Sequence, residues 1–242
     1  MACPHAELGH AVASDRNVDI PWSEVNSFDG ALDPRGFYEA TLPVISRLHR
    51  QAAAHPSGSN ELRILRQRVG AMPAESVCDL GCGWGDWASV YGLAATRIHL
   101  VDLSPSVLAC AMEHVPYWAP NSSVSCQVLD LFNKTDWSSL AGYRMYLLAF
   151  VFGHATEPQR KGVLGSLRKL ICAEDRVVLI DSLKSDPWQD ADTVRCVNVS
   201  GNLVGAFKHY FDPEEVLTLG RQAGFELTSA WWGRRYFLAE LR

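Results

Sequence analysis

The segment Val77-Cys78-Asp79-Leu80-Gly81-Cys82-Gly83-Trp84-Gly85-Asp86 concentrates residue types that can hold a ligand. Alternating glycines let the backbone pass close beneath a bound molecule, because no Cβ blocks the approach and positive φ is cheap. A second carboxylate, Asp102, lies twenty-one residues beyond Gly81, at the end of the apolar run Ile98–Val101. At that position it can accept hydrogen bonds from both hydroxyls of a ribose. The glycine spacing is Gly-x-Gly-x-Gly, not the Gly-x-Gly-x-x-Gly that seats a pyrophosphate on a helix N-terminus. Asp79, two residues before the first glycine, would repel a diphosphate and suits a cationic ligand.

These residues need strand ends to carry them, and the surrounding pattern supplies strands. Short apolar runs at Val77–Leu80, Ile98–Val101, Val124–Leu129, Tyr146–Phe152 and Val177–Ile180 alternate with helical stretches at Asp86–Ala95, Pro105–Val115 and Glu157–Cys172. That alternation predicts a parallel sheet with helices on both faces. The link at Asn133–Ala141 reads as a short helix or loop. Asp212-Pro213 opens a further helix to Ala223 with Gly224 behind it. Phe225–Trp232 and Tyr236–Leu241, joined by Gly233-Arg234-Arg235, then predict a closing antiparallel hairpin. Upstream, Asp15–Gly36 reads as a loop-rich arm. Asp33-Pro34 predicts the start of a helix to about Arg50, and a second helix carries Leu62, Ile64, Leu65 and Val69.

Taken together, Asp79-Leu-Gly81-Cys-Gly83-Trp-Gly85, Val101-Asp102-Leu103-Ser104-Pro105 and Val128-Leu129-Asp130-Leu131 resemble the first three motifs of the class I S-adenosylmethionine-dependent methyltransferases. The likeness runs from Ser76 to Arg242. It implies a Rossmann-like α/β fold: a mostly parallel seven-stranded sheet, the C-terminal hairpin, and residues 1–75 as an N-terminal arm and helical cap. It implies S-adenosylmethionine as cofactor, which bears an ammonium and a sulfonium and no phosphate. Gly81, Cys82 and Gly83 would cradle its methionine part, with Asp79 supporting the loop and the ammonium. Asp102 would hold the ribose, Leu103 would pack near adenine, and Asp130 and the Leu131 backbone would meet the adenine edge. Tyr38, from a lid, and Phe150, near the end of the fourth run, complete the expected cofactor contacts.

Transfer to oxygen or to an ammonium nitrogen also requires loss of a proton, so a base near the same sheet edge is useful. His154, in Phe150-Val151-Phe152-Gly153-His154, is the first candidate for a base or an acceptor-orienting group. His209 and Tyr210, just before the Asp212-Pro213 helix start, are further candidates, and Asp181 ends the fifth run. No Asn-Pro-Pro-Tyr-type sequence follows strand four, and no metal-dependent catechol-type acid set is present, so no metal is expected. Residues 11–40 hold six acids (Asp15, Asp19, Glu24, Asp29, Asp33, Glu39) against Arg16 and Arg35. An acidic lid would favour a cationic small-molecule acceptor. N-methylation of an amine-bearing metabolite, such as an amino sugar or natural-product intermediate, is therefore expected ahead of O-methylation or a non-catalytic partner subunit.

Composition agrees with a folded protein. The 242 residues are 48% hydrophobic and 20% charged, which excludes a mostly disordered chain. A net charge of -5 speaks against a basic nucleic-acid binder. The longest apolar run, Met145–Phe152, is too short to span a bilayer, and the N-terminus lacks a signal-peptide pattern. A cytoplasmic location with reduced cysteines follows as the expectation.

Overall fold

A computed structural model describes residues 18–21, 31–32, 35–37, 60–133, 136–185, 191–199 and 202–242. The expected helix from Asp33 to Arg50 lies mostly outside them; residues 35–37 are helical.

In chain order the strands are β1 (Val18–Pro21), β2 (Ala31–Leu32), β3 (Ser76–Leu80), β4 (Arg97–Asp102), β5 (Ser123–Val128), β6 (Met145–Ala149), β7 (Arg176–Ser182), β8 (Asp192–Val199), β9 (Asn202–His209), β10 (Leu227–Trp232) and β11 (Tyr236–Leu241). The helices are α1 (Asn60–Gly70), α2 (Ala88–Tyr91), α3 (Pro105–Trp118), α4 (Glu157–Leu170) and α5 (Pro213–Gln222). Seven strands form the large sheet in the order β10-β11-β7-β6-β3-β4-β5. β3 to β7 pair in parallel, while β11 runs antiparallel to β7 and to β10.

Alternate residues of the central strands enter opposite cores, as the period of two requires. Cys78, Leu80, Tyr146, Leu148, Val177 and Leu179 meet α4 (Val163, Leu164, Leu167) and α5 (Val216, Leu219). Val77, Met145, Leu147, Val178 and Ile180 meet α1 (Leu62, Leu65, Val69), α2 and α3. With both faces covered, β3 is buried along its whole length. Ser104 caps α3 by accepting from the Val107 N–H at 3.3 Å, and Pro105 fills the first helical position. Strand order turns between β3 and β6, which opens a crevice at the C-terminal strand ends.

Three local expectations change. Asp86–Ala95 is helical only over Ala88–Tyr91. A Cβ at Gly92 would fall 2.4 Å from the Ala88 carbonyl and 2.7 Å from Ala119 Cβ, so the chain turns there against the end of α3. The fourth strand stops at Ala149, and Phe152–His154 forms a 3-10 turn instead of strand. The Asp15–Gly36 arm, expected as loop, contributes β1 and β2 to a second, four-stranded sheet in the order β1-β8-β9-β2. Its β8–β9 hairpin fills a region where the sequence pattern suggested no element. This sheet leaves from the end of β7 and returns beside it: Phe211 N–H donates to Ser182 O and Lys184 N–H to Phe211 O, both at 3.0 Å. It therefore stands at the C-terminal edge of the large sheet.

Among the described residues, no helix is long and apolar enough to cross a membrane, and six cysteines are free thiols.

Candidate functional site

The glycine turn is built on its neighbour strand. Gly81 and Cys82 N–H groups both donate to Val101 O (2.8 and 3.0 Å), and the Gly83 N–H donates to Asp102 Oδ2 at 3.0 Å. Asp102 Oδ1 accepts from the Ser104 N–H, also at 3.0 Å. Gly81, Gly83 and Gly85 all have positive φ (72°, 55° and 75°). At Gly81 a Cβ would lie 2.5 Å from Val151 Cγ2, so conformation and space both demand glycine. Gly81→Ala is expected to cost about 1–3 kcal/mol of stability in urea unfolding.

Asp79 lies beneath this turn with 1% exposure. Its Oδ2 accepts from the Tyr91 hydroxyl at 2.7 Å, while its Oδ1 has no hydrogen-bond partner. Burial pushes its carboxyl up to about 7, with Tyr91 opposing the rise and Asp102 and Asp86 adding to it. An orphaned, fully buried carboxylate oxygen is costly unless a ligand completes it.

The remaining expected residues divide into two groups. Cys82 is buried beside the turn, and Leu103 is half-buried after Asp102. Phe150 stands at the edge with φ 61°, edge-on to Tyr236 at 5.3 Å and 6.4 Å from Trp87. Asp130 caps its own turn: Oδ1 accepts from Phe132 N–H at 2.9 Å and Oδ2 from the Asn133 amide at 2.6 Å. Leu131 is buried in the core with its side chain. Tyr38 and nearly all of the acidic 11–40 stretch lie outside the described residues.

His154, His209 and Tyr210 belong to a polar joint between the two sheets. His154 Nδ1 donates to the Phe207 carbonyl of β9 at 2.7 Å. Burial, with Lys208 beside it, lowers its imidazole to about 3, so the ring is neutral. Asp181, with 0% exposure, accepts from Lys208 Nζ, the Gly153 N–H (2.7 Å) and the Ser182 N–H (2.8 Å). Burial alone would raise the Asp181 carboxyl, but the Lys208 ammonium and the Gly153 N–H hold it below the usual carboxylate value. His209 faces Asp192 through Nδ1 (2.6 Å) and Glu215 through Nε2 (2.8 Å), which leaves neither nitrogen to take a proton from an acceptor. The Tyr210 hydroxyl pairs with Arg195. Tyr91, Lys208, Arg195 and Glu215 were not singled out from the sequence. Tyr91 sits at a position that reads there as an ordinary helix residue, and Lys208 in a stretch where the pattern suggested no element.

No protein-family model matches the chain. A stretch of 73 residues is 38% identical to the sphingolipid C9-methyltransferase A of Emericella nidulans, covering 28% of this chain and only 14% of that protein's length. Among solved structures, the complex of DhpI with S-adenosylhomocysteine superposes with a TM-score of 0.63 at 17% identity, over 87% of this chain and 98% of that one. The 1,6-didemethyltoxoflavin-N1-methyltransferase of Burkholderia thailandensis, solved with 1,6-didemethyltoxoflavin and S-adenosylhomocysteine, covers 95% of this chain and 96% of its own (TM-score 0.56, 17% identity). The chain has the class I S-adenosylmethionine-dependent methyltransferase fold. In this methyltransferase fold the glycine turn, Asp102 and Phe150 share the edge where the parallel strands end. The second sheet is what stands over that edge.

Proposed function

We propose that the chain binds S-adenosylmethionine and transfers its methyl group to a small-molecule acceptor, with an amine nitrogen as the favoured site. The observation that carries this reading is the orphaned Asp79 Oδ1 beneath a glycine turn that is itself tied to Asp102. That set fits a nucleoside bearing an ammonium and lacks the seat a diphosphate needs. When bound, S-adenosylmethionine supplies a methyl carbon activated by a sulfonium.

The chain's own residues then orient and shield. Asp102 accepts ribose hydroxyls, Asp79 takes the ammonium, and the Gly81–Gly83 backbone permits close approach. His154 is neutral at pH 7, and a group titrating near 3 is a weak proton taker there. Its role is to orient the acceptor. His154→Ala is expected to lower turnover about tenfold or more with S-adenosylhomocysteine affinity unchanged. Unchanged turnover across pH 5–9 would remove His154 from the reaction. The second sheet, pinned by Asp181 and Lys208, excludes water from the edge.

Likeness to an N1-methyltransferase over nearly the whole chain supports nitrogen as the acceptor atom. The test is incubation with methyl-labelled S-adenosylmethionine and a metabolite extract, followed by mass spectrometry. A labelled product one methylene heavier, with the label on nitrogen, is expected. Label on oxygen would replace the N-methylation reading, and no labelled product from any extract would favour a non-catalytic partner subunit.

A further inference from the structure

We propose that Tyr91 is a positioning residue for the cofactor: it holds the Asp79 carboxylate so that one oxygen faces the ligand's ammonium, and binding expels the proton Asp79 carries. This rests on the cofactor reading above and adds a residue and a proton to it. Tyr91 lies on α2, outside the glycine motif, and is itself buried. Its hydroxyl, twelve residues from Asp79, donates to Oδ2 at 2.7 Å and leaves Oδ1 as the unpaired oxygen. Burial keeps the phenol well above its ordinary value, so the O–H remains a donor throughout the working range.

Other ionisable groups surround Asp79. Asp102 at the end of β4 and Asp86 beyond the turn repel its charge, and Arg66 of α1 faces Asp86. Cys78 and Cys82, on the strand and in the turn, are held as neutral thiols by burial. Nothing cationic from these elements offsets the Asp79 charge, which is why burial raises its carboxyl to about 7. A bound ammonium supplies that cation. The exchange balances: the carboxylic acid gives its proton to the buffer, and the resulting carboxylate accepts from the ligand's N–H.

Affinity for S-adenosylhomocysteine should therefore rise with pH below 7, by up to about tenfold per unit, and level off above it. Calorimetry in two buffers of different ionisation enthalpy should register release of up to one proton per ligand on the acid side, falling towards zero as the pH rises past the Asp79 titration. Tyr91→Phe removes the donor that favours the ionised form, so the break should move up by about one pH unit. That weakens binding about tenfold at pH 6 but only about twofold at pH 8. Asp79→Asn should abolish both the proton release and the pH dependence. If Tyr91 were merely structural, its loss would lower thermal stability and leave the break at the same pH. A wild-type chain that binds S-adenosylhomocysteine without releasing a proton, or a Tyr91→Phe break that stays in place, overturns this inference alone. Absence of binding at every pH overturns the cofactor reading beneath it.

Discussion

Replacing Asp102 with alanine is expected to raise the dissociation constant for S-adenosylhomocysteine at least tenfold, measured by calorimetry. Two losses combine. Asp102 is a carboxylate held at the strand end by the Gly83 and Ser104 N–H groups, placed to accept from ribose hydroxyls. Hydrogen bonds from ribose hydroxyls to a charged group contribute about 1.5–3 kcal/mol, enough for a factor of ten or more. The same substitution also releases the Gly83 N–H, so the turn that should cradle the ligand loses its tether. Asp102→Asn keeps one acceptor oxygen and should fall between wild type and alanine. An unchanged constant in Asp102→Ala, with the fold intact by circular dichroism, would contradict the ribose assignment.

The largest effect on stability is expected at Lys208. Its ammonium is 2% exposed and its partner Asp181 is 0% exposed, and the two sheets meet through this pair. A Cβ on Gly153 would stand 2.7 Å from Lys208 Nζ and 2.9 Å from Asp181 Oδ1, so no water-sized space lies on that side. Lys208→Met strands a buried carboxylate, a change that costs about 3–5 kcal/mol. For a chain of this length Tm should fall by about 10 °C. The double variant Lys208→Met with Asp181→Asn should recover part of that loss, because no unpaired charge remains. The sign of the pH dependence follows from Asp181. Its carboxyl is lowered on folding, so the pair's contribution is complete above the ordinary value of 3.8. It is lost as the pH falls through the lower folded value. A Lys208→Met chain as stable as wild type would show that the joint between the sheets lies elsewhere.

What could be seen in advance depended on whether a residue's demand is local. Gly81, Gly83 and Gly85 each need positive φ, and that requirement is written in residue type alone. Asp102 closes a short strand whose Ile98, Leu100 and Val101 are buried, so its place at a strand end was equally legible. The β8–β9 hairpin was not. Lys208 interrupts its apolar alternation, and its outer partners β1 and β2 lie far upstream in the chain. Lys208 lies in a stretch without a readable element, and its partner Asp181 is 27 positions earlier. Tyr91 was hidden for a similar reason: an aromatic on a helix reads as packing, and only the third dimension brings its hydroxyl to Asp79. Asp130 illustrates the converse, since its family-like position coincides with a local duty as the cap of its own turn.

The most direct measurement is a pair of titrations on the purified chain, one with S-adenosylhomocysteine and one with NADH. Saturable one-to-one binding of S-adenosylhomocysteine at pH 8, with no detectable binding of NADH, is the expected result. It follows from a carboxylate beneath a Gly-x-Gly-x-Gly turn, which welcomes an ammonium and repels a diphosphate. No heat from S-adenosylhomocysteine alongside tight binding of NADH would contradict it.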